Sequence, residues 1–449
     1  MRPPIRRTAC RLAAATLLIL ATGVAAVASD SLRVLIETDA GGDPDDEQSL
    51  VRFLLYANEW DIEGIIANRP VARPRENLNP ERTGLGIVRR LIDAYGQCHS
   101  NLLQHDRRYP APELLRQRTV AGYNDTDDAV QLIIAAVDKP DPRPLWYSDW
   151  GTDNGAATNN LKRALDRVRR ERDPAGYAKF KSRLRLTSYD LYGEHTDKLA
   201  PPFPIWVNTF QPPMDGKRWY HRFSALTAKA GGFDIVRDIR TGHGPLGALY
   251  PTNTTHWGKE GDTTTFLYLV PNGLREPEQP SWGGWAGRYG PNTNHPGRPY
   301  FWATERDAWN GTTNRDNTLL RWAVHLQNDF RARLDWCVND FAHANHPPVA
   351  RVAGELRRTA TSGQQVLLDA SASADPDGQP LQFQWIHYPE PGSYRGPAVE
   401  IQDASSPRAS FTAPRVESPQ TFHVILVVTD AGAPPLTRYH RIVLTATPP

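Results

Sequence analysis

Over the first 340 residues, short apolar runs alternate with amphipathic segments. Leu32–Ile36, Ile62–Ala67, Pro144–Trp150, Leu184–Tyr189 and Ile205–Val207 are largely apolar and bounded by turn residues, which predicts buried strands. Glu47–Tyr56, Gly84–Tyr95, Asp128–Val137 and the basic stretch Ala156–Arg169 carry helical spacing; Leu85, Val88, Leu91 and Ile92 share one face. This alternation predicts an α/β fold, a mostly parallel sheet with helices on both faces. From about Gly242 to Trp302 the periodicity fades into Gly, Pro, Trp, Asn and Tyr. Long ordered loops of this kind are often functional. A long helix returns over Asp316–Phe341, with Leu319, Leu320, Trp322, Ala323 and Leu326 at core spacing.

His346-Pro347-Pro348 marks a boundary. Beyond it Gln365–Leu368, Leu381–His387, Ala409–Thr412, Thr421–Val428 and Arg438–Thr445 alternate between Gly/Pro/Asp/Ser turns. Such spacing predicts an immunoglobulin-like β-sandwich of about 100 residues. Three segments follow: 1–28, 29–345 and 346–449. In the last, Asp375 and Asp377 suit either an Asx turn or a calcium ligand set.

Residues 1–28 have the pattern of a secretory signal: Arg2, Arg6, Arg7 and Arg11, then apolar Leu12–Val24, then Ala26-Val27-Ala28 before Ser29. The apolar stretch is too short for a membrane span. A secreted or periplasmic protein is expected. Losing four Arg and no acid takes the formal charge from +2 to −2. Nothing in that balance supports nucleic-acid binding. Cys98 and Cys337 remain, and a disulfide and a pair of buried thiols are both open.

The densest chemistry is Glu37-Thr38-Asp39-Ala40-Gly41-Gly42-Asp43-Pro44-Asp45-Asp46-Glu47, directly after the first strand. Carboxylates this close repel, so a cation or a proton must sit among them unless water surrounds each one. The end of a strand in an open α/β sheet is also where ligands bind. A Ca²⁺ or Mg²⁺ site is therefore expected here.

This loop resembles the N-terminal signature of nucleoside hydrolases, D-x-D-P-G-x-D-D, with Glu37 for the first Asp and two extra residues in the Gly turn. Its longer form, with Glu63-Gly64-Ile65-Ile66-Ala67, Gly242–Gly247, Glu260-Gly261-Asp262-Thr263, Pro271-Asn272-Gly273-Leu274 and Gly283-Gly284-Trp285, is similar to a secreted bacterial family with a nucleoside-hydrolase-like domain and a C-terminal sandwich, one member of which is described as cellulose-binding. The resemblance implies calcium held by Asp39, Asp46, the Trp150 carbonyl and Asp262. It implies Asp45 on sugar hydroxyls and Asp39 as the base that takes a proton from water. Asn68, Asn154 and Asn208 are possible sugar contacts by position. Many nucleoside hydrolases carry a His before the late Asp; here that position is Gly261, and His243 or Glu260 is the candidate replacement.

Two functions are expected on these grounds. One is a calcium-dependent glycosidase-type hydrolase acting on an N- or O-glycosidic bond of a furanoside-like sugar. The other is non-catalytic binding of an insoluble polysaccharide through Trp282, Trp285, Tyr289, Tyr300 and Trp302.

Overall fold

The structure is a computed structural model. It describes residues 31–42, 44–72, 81–123, 126–151, 160–188, 201–214, 219, 223, 226–227, 229–252 and 259–449. The expected signal segment 1–28, Asp43, Thr152 and Asn154 lie outside the described residues.

Among the described residues, eight strands form the main sheet: β1 Leu32–Thr38, β2 Trp60–Ala67, β3 Thr119–Ala121, β4 Leu145–Asp149, β5 Leu184–Ser188, β6 Trp206–Asn208, β7 Gly290–Pro291 and β8 Tyr300–Trp302. Their order is β3-β2-β1-β4-β5-β6-β8-β7, parallel throughout except for β7. Helices α1 Pro44–Leu55, α2 Gly84–His105, α3 Pro112–Gln117, α4 Asp128–Asp138, α5 Asn160–Glu171, α6 Pro174–Ser182 and α7 Asn317–Asp335 cover it. Both faces are buried, as a parallel sheet requires. Val34 and Ile36 point into one core with Leu50, Leu91 and Leu326, while Leu35 points into the other with Ile133, Leu165 and Leu186. The expected mostly parallel α/β sheet with helices on both faces is what forms.

The sheet grows from β1 to β2 on one side and to β4 on the other. The chain therefore leaves β1 and β4 in opposite directions, which opens a crevice at their carboxyl ends. The acidic loop lies there.

The C-terminal part contains a four-stranded sheet, β9 Arg357–Thr361, β14 Thr437–Thr447, β13 Gln420–Thr429 and β11 Gln382–Tyr388, in that order. A two-stranded sheet pairs β10 Gln365–Asp369 with β12 Arg408–Thr412. Trp385, Phe411, Phe422 and Leu444 fill the space between, which matches the expected sandwich. Asp375 Oδ1 accepts from the backbone N of Asp377 (2.9 Å) and of Gln379 (3.0 Å), the geometry of an Asx turn.

Residues 32–449 form one compact unit. Tyr388, Ile425, Val427 and Tyr439 of the sandwich belong to the same apolar core as Trp285, Trp322 and Leu274. Tyr388 donates to Asp307 Oδ2 (2.7 Å), Arg438 to Asp329 Oδ2 (2.6 Å) and Arg441 to the Leu274 carbonyl (2.9 Å). Cys98 and Cys337 lie together as buried free thiols, hydrogen-bonded to each other. No helix among the described residues is long and apolar enough to cross a membrane.

Candidate metal and sugar site

The site is built where β1 gives way to α1. Thr38 closes the strand, and the backbone N of Gly42 turns back to the Asp39 carbonyl (3.0 Å). Gly41 has φ of 94°, and a Cβ there would lie 2.9 Å from Ile87 on α2. Only glycine fits that turn. Asp45 and Asp46 then fall in the first turn of α1, where the helix N-terminus favours negative charge.

Asp262 reaches the same place from the far end of the chain. It precedes the short helix Thr263–Leu267. One face of α1 grips its loop. Gln48 Oε1 accepts from the backbone N of Lys259 (2.6 Å) and of Glu260 (3.1 Å), and Ser49 meets Thr263 (3.0 Å). Arg52 donates from Nε (2.6 Å) and Nη2 (3.1 Å) to Glu260.

The result is a knot of carboxylates. Oxygens of Asp45, Asp46 and Asp262 all lie within 4.8 Å of one another, and the three residues are buried. Burial, then Asp262 and Asp39 nearby, push the Asp46 carboxyl well above the usual carboxylate range. Thr38 Oγ1 donates to Asp46 Oδ1, and Asp46 is hydrogen-bonded to Asp39. Lys259 Nζ stands 3.6 Å from Asp45 Oδ2. Opposite, Gly151 follows Trp150 at the end of β4 with φ of 151°; a Cβ on it would lie 2.9 Å from Asp39 Oδ1. The Trp150–Gly151 peptide is thus packed against Asp39. An oxygen-only cluster of this density suits a hard divalent cation.

Residues 33–289 match the family model described as "Cellulose-binding Sde182, nucleoside hydrolase-like domain". The chain belongs to this family. Residues 365–446 match a second model, "Cellulose-binding protein Sde0182, C-terminal domain". A solved structure titled as a nucleoside hydrolase-related hypothetical protein from Saccharophagus degradans, associated with carbohydrate metabolism, is 32% identical. It aligns over 93% of this chain and 100% of its own, with a TM-score of 0.71. A PKD domain from the KIAA 1837 protein aligns with 22% of this chain and 87% of its own, at 20% identity. Its TM-score of 0.17 is too low to bear on the fold. No curated protein matches.

Within this nucleoside-hydrolase-like chain, the remaining site residues divide. Asn68 is at the crevice, at the end of β2, but its amide donates to the Gly151 carbonyl (2.8 Å) and to Glu37 Oε1 (3.1 Å). Asn208, at the end of β6, uses Oδ1 to accept from the backbone N of Phe210 and Gln211, both at 3.0 Å. That is an Asx turn, with the side chain directed into its own loop. Asn154 falls outside the described residues.

His243 does not join the cluster. Its Nδ1 lies 3.3 Å from Asp335 Oδ1 at the end of α7. The adjacent Gly244 packs on Cys98 of α2, whereas Gly84, which begins α2, packs on the acidic loop at Ala40. Fourteen residues of helix, about 21 Å at 1.5 Å per residue, separate the two ends. Glu260 is close but spent, since it also accepts from Tyr250 (2.7 Å) and Thr263 (3.0 Å). Trp285 differs from its expected role as a sugar platform. It is 1% exposed, and its Nε1 points at Tyr439 of the sandwich (3.4 Å). Tyr289 and Tyr300 are buried as well. Trp282 and Trp285 meet His423 and Tyr439 of the sandwich, whereas Tyr289 packs on Tyr268 and Tyr300 on Trp206 within the α/β part.

Sequence reasoning missed the layer beneath the cluster. Glu37, which stands for the first Asp of the signature, is buried and accepts from Tyr147, from Asn160 (2.7 Å) and from Asn68. Burial raises its pKa against the pull of those donors. Asn160 also donates to the Gly122 carbonyl (3.1 Å). The available signal was its place, four residues before Ala164, on the apolar stripe of an otherwise basic helix.

Proposed function

We propose that this chain is a calcium-dependent glycosidase-type hydrolase acting on an N- or O-glycosidic bond of a furanoside-like sugar. The convergence of Asp39, Asp45, Asp46 and Asp262 at the β1/β4 crevice carries this reading. Buried carboxylates so close together call for a cation, and all their donors are oxygen. Asp39, Asp46, Asp262 and the Trp150 carbonyl would hold it. A bound calcium would acidify and orient a water molecule.

The protein's own groups do the rest. Asp39 is the least buried of the four and accepts the proton of the attacking water. Asp45 orients sugar hydroxyls and favours the positive charge that develops at the anomeric carbon. With Gly261 in place of a histidine, Glu260 spent and His243 distant, the reading favours substrates whose leaving group departs easily. Turnover of aryl furanosides and nucleosides, with and without chelator, tests it. Activity indifferent to both chelator and Asp39→Ala would sink it.

A second reading, non-catalytic polysaccharide binding, is favoured by the ammonium of Lys259. At 3.6 Å from Asp45 it offsets negative charge that an oxocarbenium-like state would use. The names of both matched family models point the same way. Retention on insoluble cellulose, undiminished by Asp39→Ala and without turnover of any glycoside, would decide for it. Both readings place the protein outside the cytoplasm after removal of residues 1–28. A mature N-terminus at Ser29 checks that.

A further inference from the structure

At the junction between the α/β part and the sandwich lies a cavity of about 640 Å³. Two histidines on its wall touch. His105 ends α2, and His346 opens the Pro347-Pro348 connection. Nδ1 of His105 is 2.8 Å from Nε2 of His346. Both outer nitrogens are committed. His105 Nε2 lies 3.0 Å from the Asn339 carbonyl oxygen, and His346 Nδ1 lies 2.8 Å from Asp377 Oδ1. The backbone N of His346 donates to Asp377 Oδ2 (2.8 Å). The rings are clamped by stacking, His105 on Trp336 (centroids 5.2 Å, 10° between planes) and His346 on Phe341 (3.8 Å, 14°).

Counting hydrogens gives the consequence. A carbonyl and a carboxylate only accept, so each outer nitrogen carries a hydrogen. Two neutral imidazoles have two N–H hydrogens between them, and both are then used. The inner nitrogens would face each other as bare lone pairs at 2.8 Å. Three hydrogen bonds need three hydrogens on the two rings. We propose that the His105–His346 pair holds one additional, shared proton and, with Asp377, forms a proton-dependent clasp joining α2, the Pro-Pro connection and the sandwich.

The spacing selects a proton over a metal ion. Metal–nitrogen bonds of about 2.0–2.1 Å at a tetrahedral angle would hold the two nitrogens about 3.4 Å apart. Other charges around the pair are engaged. Asp377 balances the added proton, and Asp340, which also acts on His105, is paired with His343 (2.6 Å). Along the cavity wall Arg108 pairs with Asp106, Arg333 with Glu59 and Arg438 with Asp329. His440 is held below the usual histidine range by burial. Burial likewise lowers His105, joined by the neighbouring His346 and against the pull of the Asn339 carbonyl, Asp340 and Asp377.

The full-length protein labelled with ¹⁵N-histidine tests this. Below the pair's titration, one ring should carry hydrogen on both nitrogens, with a nitrogen–nitrogen coupling to the second ring across the shared hydrogen. Raising the pH should abolish that coupling. The stability advantage of wild type over His105→Phe, which keeps the stack on Trp336, should fall over the same range. The sign follows from the proposed third hydrogen bond, which the unfolded chain lacks and which outweighs the burial that lowers His105: the shared proton is held more tightly in the folded state, and its stabilisation is lost as pH rises. Two neutral rings with no coupling at any pH between 5 and 8 would overturn the proposal, as would ring signals that change on adding EDTA. So would an unchanged difference between wild type and His105→Phe across the range.

Discussion

Two buried carboxyls at the acidic loop, Glu37 and Asp46, answer to different neighbours. Glu37 is surrounded by donors, Tyr147, Asn160 and Asn68. Asp46 faces other acids, with Thr38 as a donor. Its folded pKa is raised, so in metal-free protein its stabilising contribution is present at low pH and lost as pH rises from the ordinary carboxylate value toward the folded one. Asp46→Asn should therefore raise the Tm of chelated protein at pH 7 while abolishing stabilisation by calcium. Thermal unfolding from pH 4 to 8, with and without calcium, checks both signs. Gly151→Ala should cost about 1–3 kcal/mol and weaken calcium binding, because its Cβ would press on Asp39. Denaturant unfolding and a calcium titration measure the two effects. At this scale the sequence was legible for the acids and blind to their partners. Crowded carboxylates announce a site. Which one is underpinned by amides and which by other acids depends on residues more than 100 positions away, such as Tyr147.

The helix α1 converts one local motif into a composite site. Its residues Gln48, Ser49 and Arg52 hold the loop that delivers Asp262, more than 200 positions downstream. Arg52 also lies over the Phe330 ring (3.7 Å to the centroid) and donates to Gln327 (2.9 Å), which ties α1 to α7. Arg52→Met leaves Glu260 buried without its cation. A loss of about 3–5 kcal/mol is expected, with a fall in calcium affinity because the Asp262 loop is released. Denaturant midpoints and a calcium titration of the variant check this. Most elements could be read from periodicity: β1, β2, β4, α1 and α4 lie where the apolar pattern puts them, within a few residues at their ends, while α2 starts where expected and runs on past Tyr95 to His105. The strand β3, of three residues, and the short helices α3 and α6 are too brief to impose a period. The expected helix Asp316–Phe341 stops earlier, at Asp335, and Asp340 then caps a separate turn at Phe341–His343.

Across the whole molecule, the aromatic loop is the largest revision. A stretch rich in Trp and Tyr suggests sugar stacking when read along the chain. In the fold Trp285, Tyr289 and Tyr300 are buried, and Trp282 lies between Arg357 and Arg441 of the sandwich. Composition reports how much aromatic surface exists and says nothing of what covers it. Trp285→Ala should destabilise the full-length chain by about 3–5 kcal/mol and leave retention on cellulose per folded molecule unchanged. A chain ending at residue 345 should melt well below the full-length protein, because it exposes the surface that Tyr388 and Tyr439 cover. Both are read by calorimetry beside a pull-down. The α/β fold, the sandwich and the metal-like cluster were legible from residue patterns. The shared core between them was not, since it is made of side chains whose partners lie in another part of the chain.

Calcium titration of chelated full-length protein by calorimetry addresses the cluster most directly. Saturable binding is expected, with thermal stabilisation of about 2.7 kcal/mol at a hundred times the dissociation constant. Both effects should disappear in Asp46→Asn and in Asp262→Asn, variants that remain folded in chelator. An absence of binding by the wild type, or binding that survives both substitutions, would contradict a cation site held by Asp39, Asp46 and Asp262.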